Sequence, residues 1–231
     1  MRITKVVVIT LALITFLLIS VVGCGPMRTQ TYDHTDFTRV DVGHAFRVEI
    51  TRSDSYSISI TAPENVFPVI QVSKVGEVLE IILTSPVPLK GAKATITMPE
   101  LRDLNFSGAT KGTITGFSSS HDLNLELSGA SSLEGDIQAG DTVVRLSGAS
   151  KAKLEGSAKD VNINASGASG IDLSRFPVNN AQVLLSGASN GTVNLNGRLD
   201  ADLSGASKLS YIGEPTMGDI NTSGASAISK K

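Results

Sequence analysis

Short runs of alternating apolar and polar residues recur along the second half of the chain. In the segment 123–127, for example, leucines stand at every second position, and Asn124 and Glu126 stand between them. A period of two is typical of a β-strand with one buried face, whereas a helix repeats every 3.6 residues. The pattern predicts a series of short strands, each with its apolar side turned toward a shared core.

Each of these strands runs into the same four-residue phrase. The first copy, Ser107 to Thr110, reads Ser-Gly-Ala-Thr, and six copies of Ser-Gly-Ala-Ser follow at intervals of 18 to 21 residues. The serine and glycine that open the seven copies are Ser107, Gly108, Ser128, Gly129, Ser147, Gly148, Ser166, Gly167, Ser186, Gly187, Ser204, Gly205, Ser223 and Gly224. Self-similarity at a period of this size indicates a solenoid, in which one repeat forms one coil.

The glycine that follows each strand predicts a corner, because a residue without a β-carbon adopts backbone angles that other residues resist. Apolar residues resume after each corner, at Leu133 and Leu154 for example, and indicate a second short strand in each coil. The expected fold is all-β, a right-handed parallel β-helix with irregular coils at its N-terminal end. We expect the repeated serines to be structural, with hydroxyls bonded along the stack, and the alanine to allow neighbouring coils to approach closely.

The N-terminal segment has the organisation of a signal peptide. Arg2 and Lys5 are followed by an apolar run that extends to Val22. The next residues, Gly23 and Cys24, complete a sequence that resembles a bacterial lipobox, in which the cysteine is lipidated and becomes the mature N-terminus. We therefore predict a lipoprotein signal peptide over 1–23 and a tether over 24–36. The alternative is an uncleaved membrane helix, since the apolar run approaches spanning length.

Residues 37–231 are predicted to form a single solenoid domain. Within it, 37–100 would supply irregular first coils, and 101–231 would supply the seven coils that carry the repeated phrase. The early segment alternates clearly, for example over 46–50 and 56–60, but it lacks the phrase. An independent small β domain is the alternative, although no Gly-, Ser- or Pro-rich linker separates this segment from residue 101.

Charge and composition exclude several classes of function. Without Arg2 and Lys5 the chain has 18 basic and 22 acidic residues, a net charge of −4, and its aromatic content is only 4%. This mild charge balance predicts no basic patch for nucleic acid, and the aromatic residues are too sparse for base stacking. The single cysteine excludes a disulfide framework.

The chemistry-bearing residues do not form a recognisable catalytic motif. Six residues before the serine, three successive coils carry Asp122, Asp141 and Asp160, which would be neighbours in the stack. Stacked carboxylates are weak candidates for a hard cation such as calcium. The structural alternative is that each aspartate caps a turn locally. We predict no catalytic residues, no cofactor and no metal site.

The strands at 37–60, 78–83 and 94–99, followed by serial Ser-Gly-Ala-Ser coils, resemble the family described as putative auto-transporter adhesin, head GIN domain. The resemblance covers about residues 38–228, and seven copies in register make it specific. It implies a bacterial β-solenoid exposed in the cell envelope, often as a lipoprotein.

These features favour a non-enzymatic, lipid-anchored envelope protein that uses one side of a rigid solenoid for adhesion or binding. The expected partners are the membrane, through the lipid on Cys24, and a glycan or protein ligand. One alternative is a carbohydrate-active enzyme, a lyase or glycosidase, on the same scaffold, which would need converging carboxylates in a cleft. Another is a structural or signalling module of the envelope.

Overall fold

The computed structural model describes residues 25–231, which form 21 β-strands and one short 3₁₀ helix over Glu64–Val69. In chain order the strands are β1 (Met27–Tyr32), β2 (Arg39–Val42), β3 (Arg47–Arg52), β4 (Ser57–Pro63), β5 (Ile70–Val75), β6 (Val78–Leu83), β7 (Lys93–Met98), β8 (Asp103–Phe106), β9 (Lys111–Ser118), β10 (Leu123–Leu127), β11 (Ser132–Gln138), β12 (Thr142–Leu146), β13 (Lys151–Ser157), β14 (Asp160–Ala165), β15 (Gly170–Val178), β16 (Asn180–Leu185), β17 (Asn190–Leu195), β18 (Arg198–Leu203), β19 (Lys208–Ile212), β20 (Thr216–Thr222) and β21 (Ala227–Lys230).

The strands belong to two sheets that enclose the core. Sheet A has the spatial order β1-β4-β7-β3-β9-β11-β13-β15-β17-β19-β21, and sheet B has the order β20-β18-β16-β14-β12-β10-β8-β2-β6-β5. From β8 to β21 the chain alternates between the sheets, and every strand is parallel to the next strand of its own sheet. These seven two-stranded coils confirm the predicted parallel β-solenoid.

The core lies between the sheets and runs through the stack without interruption. Parallel pairing places Leu125, Val144, Ile163 and Val183 in one column, and each is at most 1% exposed. Burial of each such side chain contributes about 2 kcal/mol relative to an exposed one. A single coil has no facing neighbour for its apolar column, so the coils are stable only when stacked.

The first coils follow a spatial order that differs from their order in the chain. Strands β2 and β3 pair in parallel with β8 and β9 on one side and with β6 and β7 on the other. The pair β6–β7 therefore lies outside β2–β3, although it comes later in the chain. Beyond it, β4 and β1 extend sheet A and β5 extends sheet B, all by antiparallel pairing. The parallel ladder thus ends in antiparallel strands at the N-terminal end.

Strand β1 lies inside the segment predicted as a tether, so the prediction is wrong over Met27–Tyr32. This strand pairs along its whole length with β4, from Met27 opposite Pro63 to Tyr32 opposite Ile58. Its Arg28 guanidinium lies over the Phe67 ring, 5.8 Å from the centroid. The polar composition of 27–32 resembles a linker, but an edge strand with one exposed face has the same composition.

The predicted signal peptide and Cys24 lie outside the described residues. Within 25–231, no helix is long and apolar enough to cross a membrane.

Candidate functional site

The Ser-Gly-Ala corner is set by backbone geometry. The seven glycines have φ between +70° and +77°, a region that favours glycine. The amide of Ala168 donates to the Gly148 carbonyl at 2.7 Å, and the same bond recurs at each corner from Ala130 to Ala225. A β-carbon on Gly167 would lie 2.5 Å from that carbonyl oxygen. The glycine, and not the alanine, permits the close approach of coils, since the alanines are exposed at all seven corners.

The fourth residue of each phrase is buried in the first six coils. These residues, none more than 1% exposed, are Thr110, Ser131, Ser150, Ser169, Ser189 and Ser207. Each hydroxyl donates to the carbonyl of the first serine in its own turn, at 2.6 to 2.9 Å. The predicted ladder of hydroxyl-to-hydroxyl bonds between coils therefore does not form. Neighbouring strands are about 4.8 Å apart, so equivalent hydroxyls in successive coils are too far apart to bond each other.

An eighth corner has the same geometry with different residues. The amides of Ser107 and Ala109 donate to the carbonyls of Val42 and His44, which places His44 in the position of the corner glycine. Its φ is +73°, and its Nδ1 accepts from the Leu83 amide at 3.3 Å. The repeated phrase does not predict this corner, because Ala45 is the only residue of the phrase that is present there. The alternation of valine and polar residues just before it was the available signal.

The predicted aspartate stack lies at the opposite corner of the coils. Asp122 Oδ1 accepts from the Asp141 amide at 3.0 Å, and Asp160 Oδ1 accepts from the Asn180 amide at 2.9 Å. Asn180 Oδ1 continues the pattern and accepts from the Arg198 amide of the next coil at 2.8 Å. Asp122 and Asp160 therefore join successive coils, whereas the structural alternative from the sequence was a cap within one turn. Asp141 makes no such bond, and its buried Oδ1 has no hydrogen-bond partner in the part of the chain that the structure describes. Among residues 25–231, no group of three or more His, Cys, Asp or Glu side chains is placed to hold a metal ion.

The outer face of sheet B carries a polar groove toward its C-terminal end, which we call the polar track. A cavity of about 600 Å³ there is lined by Asn162, Ile163, Asn164, Gln182, Val183, Leu184, Arg198, Asp200, Ala201, Asp202, Asp219 and Asn221. A second cavity of about 490 Å³ shares Asn162, Gln182, Arg198 and Asp200 with the first and extends to β12. The two cavities form one groove that crosses successive strands.

The track presents both hydrogen-bonding groups and apolar surface. Asn162 Nδ2 donates to Gln182 Oε1 at 2.9 Å, which aligns the two amides along the stack. Beside them, Leu184 lies next to Asn164 on the neighbouring strand and is 42% exposed. Neighbouring strands repeat about every 4.8 Å, so the amides, carboxylates and leucine occupy a regular lattice.

The charges at one end of the track neutralise one another. Arg198 donates to both carboxylate oxygens of Asp200, at 2.6 and 2.7 Å, and its terminal nitrogen lies 3.3 Å from Asp219. The hydrogen bond from Arg198, followed by that from the Asp219 amide, holds the pKa of Asp200 below its usual value. Asp200 therefore remains a carboxylate at neutral pH, which suits hydrogen-bond acceptance and not proton donation.

The carboxyl group with a raised pKa lies elsewhere on sheet B. Burial raises the pKa of Asp41 on β2, and the charges of Glu80 and Glu126 add to this, while the hydrogen bond from Asn105 opposes it. The pKa values of Asp172 and Asp200 are shifted the other way, below their usual values. Asp41 does not line the polar track.

The family model described as "putative auto-transporter adhesin, head GIN domain" matches residues 36–215. The chain belongs to this family. The match begins just before β2 and ends just before β20, so it includes every coil except the last.

Solved structures share the fold. An adhesin, named as putative, from Bacteroides fragilis superposes with a TM-score of 0.84 at 23% identity, covering 89% of this chain and 97% of that one. An adhesin from Parabacteroides merdae, also named as putative, gives a TM-score of 0.70 at 15% identity, with 90% and 98% covered. A putative lipid binding protein from Parabacteroides distasonis gives 0.69 at 17% identity, again with 90% and 98% covered. Among curated proteins, no sequence matches this chain.

Proposed function

We propose that this chain is a non-enzymatic, lipid-anchored protein of the bacterial cell envelope that binds a glycan through the polar track. Membership of a family described as adhesins is consistent with a surface or envelope protein that takes part in adhesion. The observation that carries the choice of surface is the groove itself, which extends across strands from β12 to β20.

The groups in the track suit a sugar polymer. Planar amides and carboxylates donate to and accept from hydroxyls, and an exposed leucine offers apolar contact to a ring face. Their spacing repeats with the strands, so a ligand with repeating units meets the same contacts several times. Several weak contacts on one rigid surface raise the overall affinity without any single strong site.

Binding is favoured over catalysis by the distribution of protonation states. Glycoside chemistry needs a carboxylic acid that stays protonated, paired with a carboxylate across a cleft. The acid with a raised pKa, Asp41, lies outside the track, and within the track Arg198 stabilises the ionised form of Asp200. The carboxyl group with a raised pKa is therefore not in the groove where a glycosidase would need its acid.

The anchor is proposed from Cys24. The cysteine is the only one in the chain and follows an apolar segment with a basic start. Acylation would hold the solenoid at a membrane surface outside the cytoplasm. Mass spectrometry of the membrane-extracted protein tests this directly, since the added acyl mass is expected in the native chain and absent from Cys24→Ala. An unprocessed native chain would contradict the anchor.

The binding surface is tested by placing bulk and charge in the track. The double variant Asn164→Arg, Leu184→Arg changes two exposed, outward side chains that face each other on neighbouring strands. A matched control, Thr192→Arg, Ser210→Arg, makes the same change at two paired positions on the outer face of sheet A. On an array of bacterial polysaccharides, we expect the track variant to lose binding at least tenfold while the control retains it. Equal binding by both variants, or none by the native chain, would refute a glycan site in the track.

A further inference from the structure

A column of basic side chains runs beside the Ser-Gly-Ala corners on the outer face of sheet A. Parallel pairing aligns Lys93 on β7, Arg47 on β3 and Lys111 on β9 as direct neighbours. In the same column, Lys151 and Lys208 stand farther along the stack. Ser132 lies between Lys111 and Lys151, and Gly170 and Asn190 lie between Lys151 and Lys208. The column contains no acidic residue from β7 to β19, so all of its charged side chains are positive.

Most of the basic groups at the N-terminal end of sheet A have no ion-pair partner. Lys93 pairs with Glu49 at 2.7 Å, but Arg47, Lys90 and Lys111 have no carboxylate within 4 Å among the described residues. All three are exposed. We call Arg47, Lys90, Lys93 and Lys111 the basic patch.

The chain enters the fold beside this patch. Met27, the first residue of β1, pairs with Pro63, and the Pro26 carbonyl accepts from the Glu64 amide at 3.0 Å. The Met27 methyl group lies against Gly91, the residue that follows Lys90. Strands β1, β4, β7, β3 and β9 are consecutive in sheet A, so Lys111 stands about 19 Å from β1 along the sheet and Lys93 about 10 Å.

Only Gly25 and Pro26 separate β1 from Cys24. Three extended steps cover at most about 10 Å, so an anchor on Cys24 would keep this end of the solenoid against the membrane. The surface of an anionic bilayer attracts basic groups within about a Debye length, 8 to 10 Å. The patch has the sign of charge that complements such a surface, and the chain leaves the fold on the same side.

We propose that the basic patch docks on anionic phospholipid headgroups of the membrane that carries the anchor, and so orients the solenoid. This rests on the proposed acylation of Cys24. Lipid anchoring generally combines two signals, and the patch would supply an electrostatic one beside the acyl chains. The docked patch belongs to sheet A at the N-terminal end, whereas the polar track lies on sheet B toward the C-terminal end. Docking would therefore leave the track free for its ligand.

The acylated full chain allows a direct test. Its only natural cysteine is consumed by the lipid, so a cysteine introduced as Pro88→Cys, in the exposed loop before Lys90, takes a single fluorescent label. The labelled protein is placed in vesicles of phosphatidylcholine with or without phosphatidylglycerol, each with a quencher on the lipid headgroups. We expect stronger quenching in the anionic vesicles, and loss of that difference at high salt.

Two charge variants complete the experiment. Each basic group near an anionic surface contributes about a fivefold factor, so Arg47→Ser, Lys90→Ser, Lys111→Ser should lower the ratio of docked to undocked protein about a hundredfold. The control Lys151→Ser, Lys208→Ser removes charges from the same column but about 29 and 43 Å from β1, so it should lower the quenching less than the patch variant does. Equal quenching in both kinds of vesicle, or an equal loss in the control, would overturn the proposal.

Failure of the anchor gives a different result. A chain without acyl mass that does not enter neutral vesicles contradicts the acylation. An acylated chain that enters both kinds of vesicle with the same quenching contradicts docking by the patch alone.

Discussion

The two corners of each coil are joined to the next coil by different means. At the Ser-Gly-Ala corner the link is backbone to backbone: in six successive coils an alanine amide donates to a glycine carbonyl at 2.7 Å. At the opposite corner backbone bonds, such as that from the Gly197 amide to the Asn179 carbonyl at 2.8 Å, are supplemented by side chains. Asp122, Asp160 and Asn180 each accept an amide of the following coil. All seven repeated corners carry glycine, and His44 takes its place at the eighth, whereas the acceptor at the second corner is Asp or Asn.

The repeated phrase marks the positions that the stacking of coils constrains. The phrase recurs because a β-carbon at the corner glycine would meet the backbone of the preceding coil, so the residue is fixed by stacking. The outward positions of sheet B vary from coil to coil, with Asn164, Leu184 and Asp202 in one column. Since stacking does not constrain those positions, specificity for a ligand is more readily placed there than in the repeat itself.

Substitution of a corner glycine should have the largest effect. Gly167→Ala places a β-carbon 2.5 Å from the Gly148 carbonyl oxygen at a φ of +77°. Either the turn or the neighbouring coil must shift, so we expect a loss of about 3 kcal/mol in the free energy of unfolding. Chemical denaturation monitored by circular dichroism measures it.

Gly170→Ala is the matched control, three residues later in the same coil. Its backbone is extended, and the nearest atom to a new β-carbon is Lys151 Cγ at 3.9 Å. The free energy of unfolding should change by less than about 0.5 kcal/mol. Similar losses for the two variants would mean that glycine is needed at this corner for some reason other than close stacking.

The fold was predictable from the sequence because its two signals are local. Alternation over 123–127 specifies which side of a strand is buried, and the spacing of the phrase specifies the length of a coil. The irregular N-terminal end was less predictable. Strand β1 is stabilised by pairing with β4, some 30 residues away, and no local pattern in 27–32 distinguishes such an edge strand from a linker.

Hydrogen-bond partners were the least predictable feature. Ser169 was expected to bond along the stack, but the carbonyl of Ser166 in its own turn is nearer. Asp160 was expected to cap a local turn, but the parallel register brings the Asn180 amide to it. The polar track was not predicted either, because its residues are ordinary surface types and only the stacking of coils makes them a groove.

The buried serine of the corner should contribute less than the glycine. Ser169→Ala removes a buried donor and leaves the Ser166 carbonyl without it, so we expect a loss of about 1 kcal/mol in the free energy of unfolding. Ser169→Thr should be nearly neutral, because Thr110 occupies the same position in the first of the seven coils and makes the same bond at 2.9 Å.

The control for this bond is Ser166→Ala in the same turn. Its hydroxyl is partly exposed and has no hydrogen bond among the described residues. Denaturation of the three variants should therefore give a measurable loss for Ser169→Ala only. If Ser166→Ala were equally destabilising, the first hydroxyl would have to make a contact along the stack after all.

The opposite corner should give the smallest effect and the sharpest chemical distinction. Asp160→Ala removes the acceptor for the Asn180 amide and side chain, both at 2.9 Å, and in this exposed position should cost about 0.5 to 1 kcal/mol. Asp160→Asn keeps an acceptor oxygen and loses only the charge, so its unfolding temperature should match that of the native chain.

A different result would point to the charge. If Asp160→Asn were as destabilising as Asp160→Ala, the negative charge itself would stabilise the corner. Added calcium should then raise the unfolding temperature of the native chain but not that of Asp160→Asn. Because the amide bonds already account for the carboxylates of Asp122 and Asp160, we expect no such shift.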